Sequence, residues 1–391
     1  MRSISRKTAA WVSGAVILAG GGTAAGVAIT ASRSGAAAGG GRTASVAAAH
    51  RGPKAVKPGP PRLISVSPPG GAGSADGAGD ITVTYNQPLP ASAPLPRLSP
   101  GLAGSWRRAG DAAVFTPATG YPAGTRVTVT VTGAGTAAGE GGARDRSGKS
   151  STATFTTGRY RTLRLQQVLA QLGYLPLTWT PAAGTSAPAR TAAAQLAAAY
   201  RPPAGTFTWQ VGYPAQLRSF WREGSANTLT KGAVTGFEGD HGMTTDGVAS
   251  TAVWRALLRA AAAGQRNTDG YSYAIASQAV PETLTIWHDG RKVMTTPANT
   301  GISVSPTAVG TFAVYEKLPF QVMQGVNPDG TPYSDPVEWV SYFNGGDAVH
   351  YFDRATYGWN QSLGCVELPY TAAEEAYPYL PYGTLVTVTP Q

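Results

Sequence analysis

Cysteine occurs once in the 391 residues, at Cys365, so no internal disulfide can form. Histidine occurs four times (His50, His241, His288 and His350), with no H-E-x-x-H spacing. Four dispersed imidazoles and one thiol do not make a structural zinc site, and nothing in the pattern calls for a cofactor. Neither G-x-S-x-G nor a serine followed three residues later by lysine is present, which removes the common serine acyl-enzyme motifs. Acidic residues are absent before Asp76, while nine cations from Arg2 to Arg62 precede it. The remaining 22 basic and 21 acidic residues nearly cancel. The net charge of +10 therefore describes a leader and a tether, and no nucleic-acid partner is expected.

The tether is what glycine and proline, 50 and 30 residues respectively, do most to shape. Arg2, Arg6 and Lys7 precede an uncharged stretch from Thr8 to Ser32. A cationic start followed by an apolar run reads as an export signal, and the run is also long enough to be kept as a membrane anchor. Residues 1–32 are thus a signal peptide or a transmembrane anchor, and contact with the membrane is expected through this segment. Residues 33–61 collapse to Ala, Gly, Pro and scattered cations, too poor in apolar side chains to bury a core. They read as a flexible linker that could lean on anionic lipid or wall polymer.

Residues 62–158 alternate with period two: Ile64 and Val66, then Ile81, Val83 and Tyr85, then Val114 and Phe115, then Val127, Val129 and Val131. Short strands between Gly-rich turns predict a β-sandwich. The pair ITVTYNQPLP and YPAGTRVTVTV resembles bacterial immunoglobulin-like modules. In residues 159–265 the period becomes helical: Leu165, Val168, Leu169 and Leu172 share one face, Lys231 to Met243 suggests a second helix, and Val253 to Leu258 a third. LQQVLAQLGYLP and the segment from GAVTGFEGDHGM to VWRALL resemble a three-helix peptidoglycan-binding module, interrupted by an insertion at 177–228. That likeness implies the cell-wall glycan as a partner. Residues 271–391 return to strands. LTIWHDGRKV reads as a hairpin on an Asp289-Gly290 turn, GTFAVYEKL as one strand, and Thr371 to Tyr377 as a short helix. The fold class expected is multidomain: a β-sandwich, a small helical domain and a mainly-β catalytic domain.

In an exported chain a solitary cysteine is either buried and inert, joined to another chain, or kept reactive. A reactive thiol needs a base, and His350 lies fifteen residues upstream at an apparent strand end. Gly364 before the cysteine would let the backbone turn and aim N–H groups at an oxyanion. Gly301, Gly310-Thr311-Phe312, Phe343-Asn344-Gly345-Gly346, His350 and Ser362-Leu363-Gly364-Cys365 are similar to the YkuD-type L,D-transpeptidase catalytic domain. The resemblance implies a cysteine nucleophile at Cys365 and a histidine base at His350. It gives Ser362 and Gly364 conformational and hydrogen-bonding roles and places Tyr342 in the acyl pocket. Peptidoglycan stem peptides would be the substrate, with sensitivity to carbapenems. Three residues depart from the pattern: Leu363 stands where histidine is frequent, Glu367 where arginine or asparagine is, and Tyr351 where a small residue is, so that it could narrow the entrance.

The leading expectation is an exported, wall-associated cysteine acyltransferase that cross-links stems through a Cys365 thioester. An L,D-carboxypeptidase using the same site, and a catalytically silent wall-binding scaffold, stay open beside it.

Overall fold

The computed structural model describes residues 61–132, 135–136 and 150–391; the signal or anchor segment 1–32 and the linker up to residue 60 lie outside the described residues. No helix among the described residues is long and apolar enough to cross a membrane.

The first region is two sheets around one core. Strands Gly104–Ala109, Ala112–Pro117, Ile81–Tyr85, Arg62–Ser67 and Gly135–Thr136 form one sheet in that order. Arg97–Ser99, Arg126–Val131 and Ser151–Thr156 form the other. Period-two alternation turns Ile81, Val83, Ala113 and Phe115 of one sheet toward Val127, Val129, Val131 and Phe155 of the other.

The middle region is helical. Helices Thr162–Leu172, Ala192–Tyr200, Thr228–Asp240 and Thr251–Ala263 pack with a hairpin of Leu177–Pro181 and Gly205–Trp209. The third helix begins at Thr228, one turn earlier than the apolar pattern suggested, because the Asn227 side chain accepts from Thr230 N–H and caps it there. The insertion belongs to the core: Leu177, Trp179, Ala199, Tyr213 and Leu217 share a cluster with Leu165, Val168, Leu169 and Leu257.

Polar side chains of the first helix hold the insertion in place. Gln166 Nε2 donates to the Arg222 and Ser225 carbonyls, and its Oε1 accepts from Gly224 N–H. Gln167 Nε2 donates to Pro203 O. Arg164, fully buried, donates to Gln195 Oε1 at 2.6 Å and Gln167 Oε1 at 3.3 Å. Tyr200 at the end of the second helix donates to Tyr121 O of the first region, and Arg201 pairs with Asp76 at 2.7 Å.

The last region again has two sheets. One runs Arg291–Pro297, Thr283–His288, Ser272–Ser277, Leu385–Thr389, Gly310–Ala313; the other runs Glu316–Val326, Pro332–Asn344, Asp347–Tyr351, Val366–Leu368. Ala274, Leu284, Ile286 and Val386 from the first meet Phe343, Val349, Val366 and Leu368 from the second. Asp289 (φ 46°) and Gly290 (φ 76°) make the tight hairpin turn their types favour. GTFAVYEKL corrects the single-strand expectation. Val314 N–H donates to Thr384 O and Tyr315 N–H to Tyr342 O, so the chain crosses between sheets here and the strand breaks. The helical core continues into this region, since Tyr271, Tyr273 and Leu385 belong to its cluster.

Candidate active site

Cys365 and His350 reach one place through strand pairing. Asp347–Tyr351 and Val366–Leu368 run parallel, with Val349 opposite Val366 and His350 opposite Glu367. Cys365 lies in the bend just ahead of that strand, and His350 faces Glu367 across the ladder. Cys365, His350, Tyr342, Leu363, Asp347, Arg354 and Glu367 all line a cavity of about 560 Å³.

His350 is 2% exposed, and its Nδ1 donates to Tyr351 O at 2.7 Å. A carbonyl only accepts, so the ring carries its proton on Nδ1 and keeps the Nε2 lone pair free. Burial lowers its pKa below the ordinary imidazole value, which keeps that lone pair available at neutral pH. Cys365 is half-buried, and its Sγ donates to Gly346 O at 3.6 Å; among the described residues the imidazole is not its hydrogen-bond partner. Burial, with the carboxylates of Asp347 and Glu367 nearby, pushes the thiol up to about 12. The resting pair is therefore a thiol and a neutral imidazole.

The loop before the cysteine is tied to itself. Ser362 Oγ donates to Cys365 O at 2.6 Å and accepts from Gly364 N–H at 3.2 Å. The Gly364 N–H is thus engaged by the Ser362 hydroxyl. Gly364 has φ +123°, and a Cβ there would lie 2.7 Å from Asp347 Oδ1, so glycine is required by shape. Ser305 Oγ holds the Leu363 carbonyl.

Tyr342 reaches the cavity because of a bulge. Glu338 pairs with Tyr351 but Ser341 with Val349, so one extra residue lies on the strand Pro332–Asn344, and Trp339 there adopts φ +61°. The extra residue inverts the alternation. Asp335 and Val337 line the cavity before it, and Tyr342, at an odd spacing of five residues from Val337, lines it after. The Tyr342 hydroxyl donates to Gln321 Oε1 at 2.8 Å. Tyr351 does not narrow the entrance: it lies on the opposite face from His350, with its ring edge-on to Tyr370 at 5.0 Å.

Sequence reasoning missed Arg354. Its Nε and Nη2 make parallel 2.8 Å bonds to the two oxygens of Glu367, and its Cζ lies 4.6 Å above the Phe352 ring. An acid at position 367 and a base thirteen residues earlier give no local signal; only the parallel pairing that faces 350 with 367 brings them together.

Residues 272–388 match the model of the YkuD family, the L,D-transpeptidase catalytic domain. Among solved structures the chain is similar to an L,D-transpeptidase from Mycobacterium smegmatis, at 16% identity over 85% of this chain and 100% of that one, with a TM-score of 0.28. L,D-transpeptidase 3 from Mycobacterium tuberculosis, in complex with a faropenem-derived adduct, matches at 16% identity over 84% and 98%, with a TM-score of 0.28. The catalytic domain of the Enterococcus faecium L,D-transpeptidase matches at 27% identity over 30% and 96%, also with a TM-score of 0.28. No curated protein matches the chain.

Proposed function

We propose that the protein is an exported L,D-transpeptidase that cross-links peptidoglycan stems through a thioester on Cys365. The observation that carries this reading is the opening of one cavity onto both the lone thiol and an imidazole whose Nδ1 is tied to a carbonyl, leaving Nε2 as base. Cys365 Sγ attacks the carbonyl before the terminal D-alanine of a stem tetrapeptide, and its proton passes to His350 Nε2. The oxygen that becomes negative is met by Cys365 N–H. As the tetrahedral intermediate collapses, the C–N bond breaks and His350 returns the proton to the leaving amine. A side-chain amine of a second stem then attacks the thioester, gives its proton to His350, and displaces the thiolate, which is reprotonated. Because the thiol rests protonated, proton transfer and attack are coupled, and the sulfur is guarded from adventitious oxidants.

The first region acts in this reading as an Ig-like spacer and the helical region as a wall-binding module. Together they carry the catalytic end into the wall mesh outside the cytoplasm. Incubation of the pure protein with a carbapenem, followed by intact mass measurement, tests the proposal. One adduct that maps to Cys365 is expected; an unchanged mass would favour a silent scaffold. Muropeptide analysis with tetrapeptide stems then separates the two active readings, since cross-linked dimers identify the transpeptidase and tripeptides alone the carboxypeptidase.

A further inference from the structure

Among the described residues, Arg354 is the only lysine or arginine that lines the cavity containing Cys365 and His350. Its plane is fixed on three sides. Glu367 takes Nε and Nη2, Gln361 O accepts a second bond from Nη2 at 3.1 Å, and Phe352 covers one face. Those contacts use three of the five guanidinium donors, and both hydrogens of Nη1 lack a partner among the described residues. Its side chain is 29% exposed, against 5% for Glu367, so the carboxylate is sealed below while the guanidinium keeps one edge open. Asp335 of the strand Pro332–Asn344 adds attraction, yet no ion pair within 4.0 Å joins them. Cys365 lies two residues before Glu367, in the bend ahead of the strand, and the open edge of Arg354 and the sulfur line the same cavity.

A cation held this firmly loses little freedom when it binds an anion, and the planar fork matches a carboxylate. We infer that Arg354 is the specificity residue that receives a free carboxylate of the acyl donor, with Glu367 as its positioning residue. The inference rests on the transpeptidase reading for the identity of the donor. Two carboxylates of such a donor share this chemistry: that of the terminal D-alanine, and one at the end of a diamino-diacid side chain.

The test uses the full chain carrying Cys365→Ala, in which donor binding is read without turnover. Tetrapeptide donors are compared by calorimetry in three forms: unmodified, amidated at the terminal carboxylate, and amidated at the side-chain carboxylate. One amidation should weaken binding by about 10- to 100-fold, as expected for losing hydrogen bonds between charged groups, and which one does so names the carboxylate. Adding Arg354→Gln should erase that difference while leaving the affinity for the amidated donor unchanged. Arg354→Lys, which keeps the charge but not the fork, should restore part of it. Equal affinity for all three donors, or a parallel loss for all three in Arg354→Gln, overturns the inference. Turnover with the otherwise unmodified protein is measured separately. Donor selectivity without any turnover would sink the transpeptidase reading and leave the carboxylate receptor standing; turnover without selectivity would do the reverse.

Discussion

The helical region and the C-terminal sheets each take a guanidinium out of water, and they satisfy it differently. Arg164 has no carboxylate partner among the described residues. Two glutamine carbonyl oxygens accept from it, its Nε is unpartnered, and burial lowers it to about 10. Arg354 has a full bidentate carboxylate and an open edge on a cavity. Amide dipoles fixed by their own bonds to Pro203, Pro188 and Ala189 make Arg164 a structural strut, since nothing remains for a ligand to touch. A charge placed for stability is closed on all sides, and a charge placed for recognition is braced from behind.

The contrast can be sharpened by experiment, beginning at the cavity. Cys365→Ala should abolish carbapenem acylation altogether, read by intact mass. His350→Gln should slow acylation by about 10²- to 10⁴-fold with little change in melting temperature. The acid limb of the wild-type rate should lie below pH 6.5, because burial lowers the His350 pKa and protonation removes the base. With the thiol at about 12 in place of 9.0, the thiolate fraction at pH 8 falls by about 10³. Iodoacetamide should therefore modify Cys365 far more slowly than free cysteine, with a rate still climbing above pH 10; a plateau near pH 9 would contradict the resting thiol.

On the other side of the comparison, Arg164→Ala should cost about 3 kcal/mol in denaturant unfolding, from a cavity plus orphaned glutamine amides, while donor affinity stays put. Arg354→Gln should instead weaken donor binding, and it should lower stability as well, because it leaves the Glu367 carboxylate, 5% exposed, without its bidentate partner. The smallest effect belongs to Glu238, which burial pushes up to about 7 from 4.5. Its folded value lies above its unfolded one, so the stability it contributes is full below pH 4.5 and lost as pH rises through 7. Glu238→Gln should leave the melting temperature unchanged at pH 4 and raise it relative to wild type by pH 8.

Much of the layout could be read from the chain itself. Alternation in ITVTY and RVTVTV signals strands because one face is wet, and Asp289-Gly290 signals a turn because both residues accept positive φ. Leu165, Val168, Leu169 and Leu172 mark a helix, but Arg164, Gln166 and Gln167 do not mark its other faces as buried. That burial depends on an insertion whose carbonyls arrive from 36 to 59 residues away. The site was legible to the extent that SLGC and an upstream histidine carry it. Arg354 was not legible, because its partner is defined by parallel register, nor was the bulge at Trp339, where an ordinary strand residue takes φ +61°.

Thr245 Oγ1, between two helices, donates to Tyr315 O at 2.7 Å; the Tyr315 hydroxyl donates to Gly345 O; and the next carbonyl, Gly346 O, accepts from the sulfur. Tyr273 and Leu385, fully covered strand residues, owe part of that cover to the helices. Excising a minimal catalytic cassette at Tyr271 would uncover both and cut the tether behind the nucleophile's turn. An autonomous fragment must begin ahead of the helices, near Tyr160.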